Sequence, residues 1–222
     1  MPHPLKVIIT GSTGMVGEGV LIECLASPLV EQVLVINRRP CGYQHPKLKE
    51  LIHADFFDLS PLVPQLSGYN ACLFCLGVSS VGMKEPEYTR LTHTLTMHVA
   101  ETLIGLNPGM SFSYISGAYT DSSEKGRSMW ARVKGKTEND LMKLPFSHVY
   151  AFRPFMLFPT KGMKHALPYY KYLGFMFPLM RAIGFGCKLS ELGQAMINAA
   201  AYGYPKQHIE LKDIITLSKH NA

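Results

Sequence analysis

An α/β fold built on a doubly wound parallel sheet is predicted for this chain of 222 residues. Three observations predict it. Short apolar runs recur from Leu5 to Phe152, amphipathic stretches of helical length alternate with them, and the first run breaks straight into a glycine-rich turn. Alternation of this kind implies parallel strands joined by right-handed helical crossovers.

Leu5–Thr10 reads as a buried strand, and Gly11-Ser12-Thr13-Gly14-Met15-Val16-Gly17 follows, leading into an amphipathic stretch that ends at Ala26. Strand, glycine-rich turn and helix in this order cradle the pyrophosphate of a dinucleotide. Gly11 can take the tight-turn conformation, Gly14 lets the backbone approach the phosphates, and Gly17 lets the helix sit close on its strand. The free N–H groups and positive end of the helix then face the anion.

The first helix stops at Ser27-Pro28, and Val33–Ile36 is the second strand, ending in Asn37-Arg38-Arg39-Pro40. Leu48 to Ala54 gives a third, before Asp55-Phe56-Phe57-Asp58. Ser60-Pro61 opens a short helix, with Ser as N-cap and Pro at the first helical position. Ala71–Leu76 is the fourth strand, ending at Gly77. From Glu87 to Leu106, Leu91, Leu95, Val99, Leu103 and Leu106 recur at helical spacing until Asn107-Pro108-Gly109 stops the helix. Phe112–Ile115 is the fifth strand, Met129–Leu144 a helix and His148–Phe152 the sixth strand.

The last segment is predicted as a small helical extension of the one Rossmann-like domain, over residues 161–204 on the substrate side of the cleft. Gly162 to Gly186 carries Tyr169, Tyr170, Tyr172, Phe175 and Phe177 with Met163, Met176 and Met180, in helices broken at Pro168 and Pro178. Such a lining predicts an apolar or planar small-molecule ligand. A homodimer contact or a peripheral membrane contact aided by Lys161, Lys164, Lys171 and Arg181 is the rival reading. Ser190 to Tyr202 is a helix, and Ile209–Leu211 a final short strand before a polar tail.

Composition narrows the class. The sequence is 47% apolar and 17% charged with a formal charge of +6, and its basic residues are scattered apart from Arg38-Arg39 and the 132–143 helix. No nucleic-acid partner is expected. Residues 5–9 are too short for a signal peptide, and a cytoplasmic location is expected. The five cysteines fit a reduced compartment. Cys72-x-x-Cys75 lies inside an apolar strand run with no second Cys or His pair near it, so core packing is expected rather than a metal. His93 and His98, five apart, offer no metal spacing, and no Gly-x-Ser-x-Gly elbow occurs.

In NAD sites an acid about 20 residues beyond the glycines holds the ribose 2′-hydroxyl. That position falls on Asn37-Arg38-Arg39. A guanidinium grips a 2′-phosphate, so NADP is expected over NAD, with Arg38 as the contact. Asp55 is placed to accept from the adenine amino group.

These residues together resemble the short-chain dehydrogenase/reductase superfamily, in its atypical and extended branches. The resemblance covers most of the chain. Within it the chain is similar to small NAD(P)-dependent epimerase/dehydratase-like and NAD(P)H-binding proteins such as the Tat-interacting-protein relatives. The resemblance implies that Thr10-Gly11-x-x-Gly14-x-x-Gly17 is the cofactor fingerprint and that Asp55-Phe56 contacts adenine. It likewise implies that Cys75-Leu76-Gly77 lines the cofactor, and that Tyr114-Ile115-Ser116-Gly117 presents a catalytic serine. Arg153-Pro154 resembles the turn beside the nicotinamide, and Trp130-x-x-x-Lys134 the active-site helix. That helix normally reads Tyr-x-x-x-Lys. The spacing of four puts both groups on one helix face. Lys134 is in place; Trp130 stands where the proton-shuttling Tyr belongs, and an indole has no usable pKa. Three readings follow: an oxidoreductase on a small carbonyl or alcohol with a rearranged proton relay, a nucleotide-sugar epimerase or dehydratase, or a non-catalytic NADP(H)-sensing protein.

Overall fold

In the computed structural model, which describes residues 4–160, 162–165 and 177–219, seven strands form one parallel sheet. They are β1 (Leu5–Thr10), β2 (Val30–Asn37), β3 (Leu48–Ile52), β4 (Ala71–Phe74), β5 (Ser111–Ile115), β6 (His148–Arg153) and, further along, β9 (His208–Glu210). Their order is β3-β2-β1-β4-β5-β6-β9, the doubly wound arrangement, which reverses direction between β1 and β4. Ligands in such sheets bind beyond the carboxyl ends at that reversal.

Both faces of the sheet are covered, and strand alternation divides the core. Leu5, Val7 and Ile9 of β1 point to one side, where α1 (Met15–Ala26), α6 (Leu189–Tyr202) and α7 (Leu211–Ser218) lie, while Ile8 points to the other. That second side is roofed by α2 (Glu85–Thr89), a π-helical turn (Arg90–Thr94), α3 (Leu95–Leu106) and α4 (Met129–Leu141). Burial on both faces is why these strands read as unbroken apolar runs.

Several elements differ from expectation. β3 ends at Ile52 and β4 at Phe74, each earlier than the apolar run in the sequence, because the chain turns away from the sheet edge there; α4 ends at Leu141, with Met142 as its C-cap, rather than at Leu144. Ser60–Gln65 is a 3₁₀ turn rather than an α-helix, with Pro64 inside it. The tail is helical: α7 starts from a capping box in which the Glu210 and Asp213 side chains each accept from the other's backbone N–H. A second small parallel sheet pairs β7 (Met156–Phe158) with β8 (Gly186–Lys188). Of the expected helical roof, residues 166–176, with Tyr169, Tyr170, Tyr172, Phe175 and Met176, lie outside the described residues, as does Lys161. Pro178 sits in the first turn of α5 (Phe177–Ala182), where proline is tolerated.

Candidate cofactor and active site

The phosphate cradle forms as its spacing requires. Gly11 has φ +74°, and a Cβ there would sit 2.8 Å from the Cys75 carbonyl oxygen. A Cβ on Gly17 would lie 2.2 Å from the Gly11 carbonyl oxygen, so even alanine cannot enter without moving the turn. Gly14 is the N-cap of α1 and supplies no side-chain cap, which leaves the first-turn N–H groups of Met15, Val16 and Gly17 for a ligand. The Ser12 side chain instead turns inward: it is fully buried and accepts from the Asn37 amide at 2.8 Å. Asn37 also donates to Glu50 Oε1, which takes a second bond from the Cys41 N–H. Glu50 is thereby spent on holding the β2 loop. Arg38 follows Asn37, exposed at the carboxyl end of β2. These residues fit an anionic, dinucleotide-sized group.

Asp55 is exposed, and its Oδ1 accepts from the Phe57 N–H at 2.8 Å, an Asx turn that leaves Oδ2 outward. Phe56 requires a correction: its ring is buried in the core on the α3 side, so only its backbone remains for a ligand.

At the other end of the groove a cleft of about 590 Å³ opens. Met15, Val16 and Gly17 form one wall, Cys75, Leu76 and Gly77 a second, and Ser116, Tyr119, Trp130, Lys134, Pro154 and Phe155 the rest. β4, β5, α4 and the β6 turn therefore bring Cys75, Leu76, Gly77, Ser116, Trp130, Lys134 and Pro154 together with the glycine turn, whereas Arg38, Asp55, Phe56 and Arg153 do not line this cleft. Burial pushes the Cys75 thiol up to about 12 and Cys72 well above its usual value, so neither is a nucleophile at neutral pH. Three residues apart on an extended chain, the two sulfurs face opposite cores, as the packing reading requires. Among the described residues no three His, Cys, Asp or Glu side chains gather as a metal site.

Ser116 sits at the end of β5, buried, with its N–H on the Phe152 carbonyl. Its Oγ lies 2.8 Å from Thr120 Oγ1, which in turn donates to the Gly117 carbonyl at 2.8 Å. Because Thr120 has one hydroxyl hydrogen and gives it to Gly117, Ser116 is the donor in the first bond. Rotation of that hydroxyl frees its hydrogen for a ligand oxygen. Thr120 was not expected from the sequence; the signal was Ser-Gly-x-x-Thr, in which a tight turn returns the hydroxyl to the serine. Tyr119, within that turn, has φ +66°, a conformation costing an aromatic residue about 1–3 kcal/mol.

Lys134, half-buried, donates to the Ser116 carbonyl at 2.9 Å and the Ile115 carbonyl at 3.2 Å. Its third N–H faces the cleft. Burial lowers its ammonium to about 8, with Glu138 opposing the shift. The folded pKa is below the unfolded value of about 10.4, so this residue's charging penalty is fully present below pH 8 and is relieved as pH rises towards the unfolded value. Acetylation of Lys134 followed by mass spectrometry should therefore show a midpoint near pH 8 and protection by dinucleotide. A profile matching the exposed lysines would refute the burial assigned here.

Arg153 also differs from expectation. Its guanidinium does not enter the cleft but makes a two-pronged contact with the fully buried Glu138 carboxylate, through Nε at 3.1 Å to Oε1 and through a second N–H to Oε2. It further donates to Ser122 Oγ at 2.6 Å and Glu210 at 3.3 Å. A side chain at this point of β6 leaves on the α4 face, and the next residue, Pro154, carries the chain into the cleft wall.

Comparison with solved structures places this geometry. UDP-N-acetylglucosamine 4-epimerase from Methanobrevibacter ruminantium, in complex with UDP-N-acetylmuramic acid, superposes with a TM-score of 0.68 over 94% of this chain and 76% of its own, at 14% identity. Bordetella bronchiseptica WbmF in complex with NAD+ and UDP gives 0.66, covering 96% and 76%, at 16% identity. The fold is the α/β Rossmann-like fold of these proteins, with its seven-stranded parallel sheet. MoeE5 in complex with UDP-glucose and NAD gives 0.65 over 96% of this chain and 80% of its own, at 17% identity.

No protein-family model matches the sequence. The chain is distantly homologous to "Protein FMP52, mitochondrial" of Candida glabrata, 25% identical over 160 residues, spanning 71% of this chain and 66% of that protein. "Protein fmp-52, mitochondrial" of Neurospora crassa is 27% identical over 190 residues, spanning 82% and 75%. Both names overturn the cytoplasmic expectation, which rested on apolar-run length and cysteine usage alone.

Proposed function

We propose that the chain is an NAD(P)H-dependent oxidoreductase acting on a small carbonyl or alcohol. The observation that carries this is the convergence of the Gly11–Gly17 cradle, Ser116 and Lys134 on one cleft at the sheet reversal. The α1 N-terminus and the glycine turn hold the pyrophosphate, Lys134 reaches the nicotinamide ribose with its remaining N–H, and Ser116 donates to the substrate oxygen. When bound, the nicotinamide supplies or accepts the hydride. Trp130 gives the cleft a flat wall and an N–H donor but no proton.

NADP is the proposed cofactor, on the strength of Arg38 and of Asn37 standing where an acid would repel a 2′-phosphate. The solved structures described above hold NAD in two cases, which leaves Arg38 as the support for this choice. Trp130 is the one tryptophan in the sequence and lines the cleft, so its fluorescence reports binding without labelling. NADPH should bind more tightly than NADH, and Arg38→Ala should remove about 10- to 100-fold of NADPH affinity, the worth of charge-assisted hydrogen bonds. Equal affinity for the two cofactors would sink the Arg38 assignment. A non-catalytic sensor is the second reading, favoured by Trp130 at the tyrosine position; binding with no turnover across a carbonyl panel would select it.

A further inference from the structure

We propose that the cleft takes a planar, conjugated carbonyl of the quinone type as hydride acceptor, rather than a sugar nucleotide or a simple ketone. This rests on the oxidoreductase reading above and adds the substrate class. Two observations carry it, one about shape and one about acid.

The cleft's outer wall is aromatic. Tyr119 and Phe155 meet edge to face with ring centroids 5.7 Å apart, and Phe185 backs Phe155 in the same way at 4.9 Å. Yet Tyr119 is 70% and Phe155 46% exposed, so large apolar faces stand open to the cleft. Tyr119 is held there in the left-handed backbone region, where a polar residue or glycine would cost less. Trp130 forms a further flat wall, and among the described residues no carboxylate lines the cleft. Such a slot rewards a flat π-system through stacking. It offers a sugar few hydrogen-bond partners beyond Ser116 and Lys134.

The absent acid points the same way. Reducing a simple ketone leaves an alkoxide, about as basic as hydroxide, whose conjugate acid sits near 16, so a nearby proton donor is needed in the transition state. Reducing a quinone leaves a phenolate-like anion, whose conjugate acid sits near 10. A bound reduced nicotinamide would supply the hydride, its C–H bond breaking and itself being oxidised as a quinone carbonyl oxygen gains an O–H bond. The resulting hydroquinone monoanion needs one proton, which water can give, leaving hydroxide. Lys134 holds an ammonium beside that anion. No tyrosine is required, and Trp130 supplies stacking area where a tyrosine would supply a proton.

Calorimetric titration separates this proposal from the reading beneath it. NADP+ and NAD+ are titrated first; failure of both to bind ends the oxidoreductase reading itself. The loaded protein, unable to turn over, is then titrated with 1,4-naphthoquinone and, separately, with UDP-glucose. The expected result is saturable naphthoquinone binding that Phe155→Ala and Tyr119→Ser each weaken roughly fivefold to tenfold. Both side chains are substantially exposed, so these variants fold. Cofactor binding without saturable quinone binding, quinone binding indifferent to both substitutions, or preference for UDP-glucose would each overturn the proposal.

Discussion

Replacing Glu138 with alanine is expected to remove about 3–5 kcal/mol of folding stability, the cost of breaking a buried pair by deleting one partner. Glu138 is fully buried, and Arg153, 12% exposed, is left without its two-pronged partner. His208, with Nε2 3.4 Å from the same carboxylate, loses its neighbour as well. The loss comes from a largely buried guanidinium left with only the Ser122 hydroxyl and the longer contact to exposed Glu210, so the double variant Glu138→Met/Arg153→Met should recover most of it. Urea unfolding of the wild type, both single variants and the double variant closes the cycle. A Glu138→Ala change costing under about 1 kcal/mol would show that the pair is solvated in solution and that the ledger of buried pairs does not apply.

The same network governs the site at a distance. Arg153 ties α4 to Ser122 in the loop after β5 and to Glu210 of β9, and the Asp121 N–H bonds the Ala131 carbonyl at 3.1 Å. α4 carries Trp130 and Lys134, and the loop carries Tyr119 and Thr120. Slackening the pair therefore lets the two halves of the cleft wall separate. Glu138→Ala should weaken dinucleotide binding as well as folding, although Glu138 is fully buried and does not line the cleft.

What the sequence reveals and what it conceals divides along physical lines. The strand–turn–helix cradle is legible because its signal is local: an apolar run, three glycines and an amphipathic helix within one stretch. The parallel order follows from alternation. The three-residue strands β7 and β8 carry no period to read, and nothing in Arg153-Pro154 says which face of the sheet the guanidinium leaves by. Phe56 looked like a cofactor contact for the same reason, since a residue after a strand can point inward or outward. Thr120 and Glu18 were hidden differently. Glu18 is buried in α1, and its carboxylate accepts from the backbone N–H groups of Lys164 and His165 and from the Tyr43 hydroxyl. A carboxylate 146 residues away along the chain has no local signature. The capping box of α7, by contrast, was there to be found: Glu210 and Asp213 stand three apart before an apolar run.

Trp130→Tyr is expected to produce the largest gain. A general acid placed in reach of a reacting oxygen contributes about 100- to 10,000-fold, and on the proposed reading Ser116 and Lys134 already line the same cleft. Trp130 stands one helical turn before Lys134, so a phenol at that position shares the helix face with the ammonium and the cleft with Ser116. A neighbouring ammonium also favours the phenolate, drawing its pKa down towards the working range. The smaller ring leaves space near Gly117, whose would-be Cβ lies 3.7 Å from the indole, and the substitution should be tolerated. Reduction of a simple aldehyde or ketone by NADPH, near background in the wild type, should rise by up to the factor above, with a pH profile that falls as the tyrosine ionises. Pairing the change with Lys134→Met should erase the gain, because the lysine is what tunes the phenol. A variant that binds the dinucleotide and stays inactive on every carbonyl offered would leave the sensor reading in possession of the cleft.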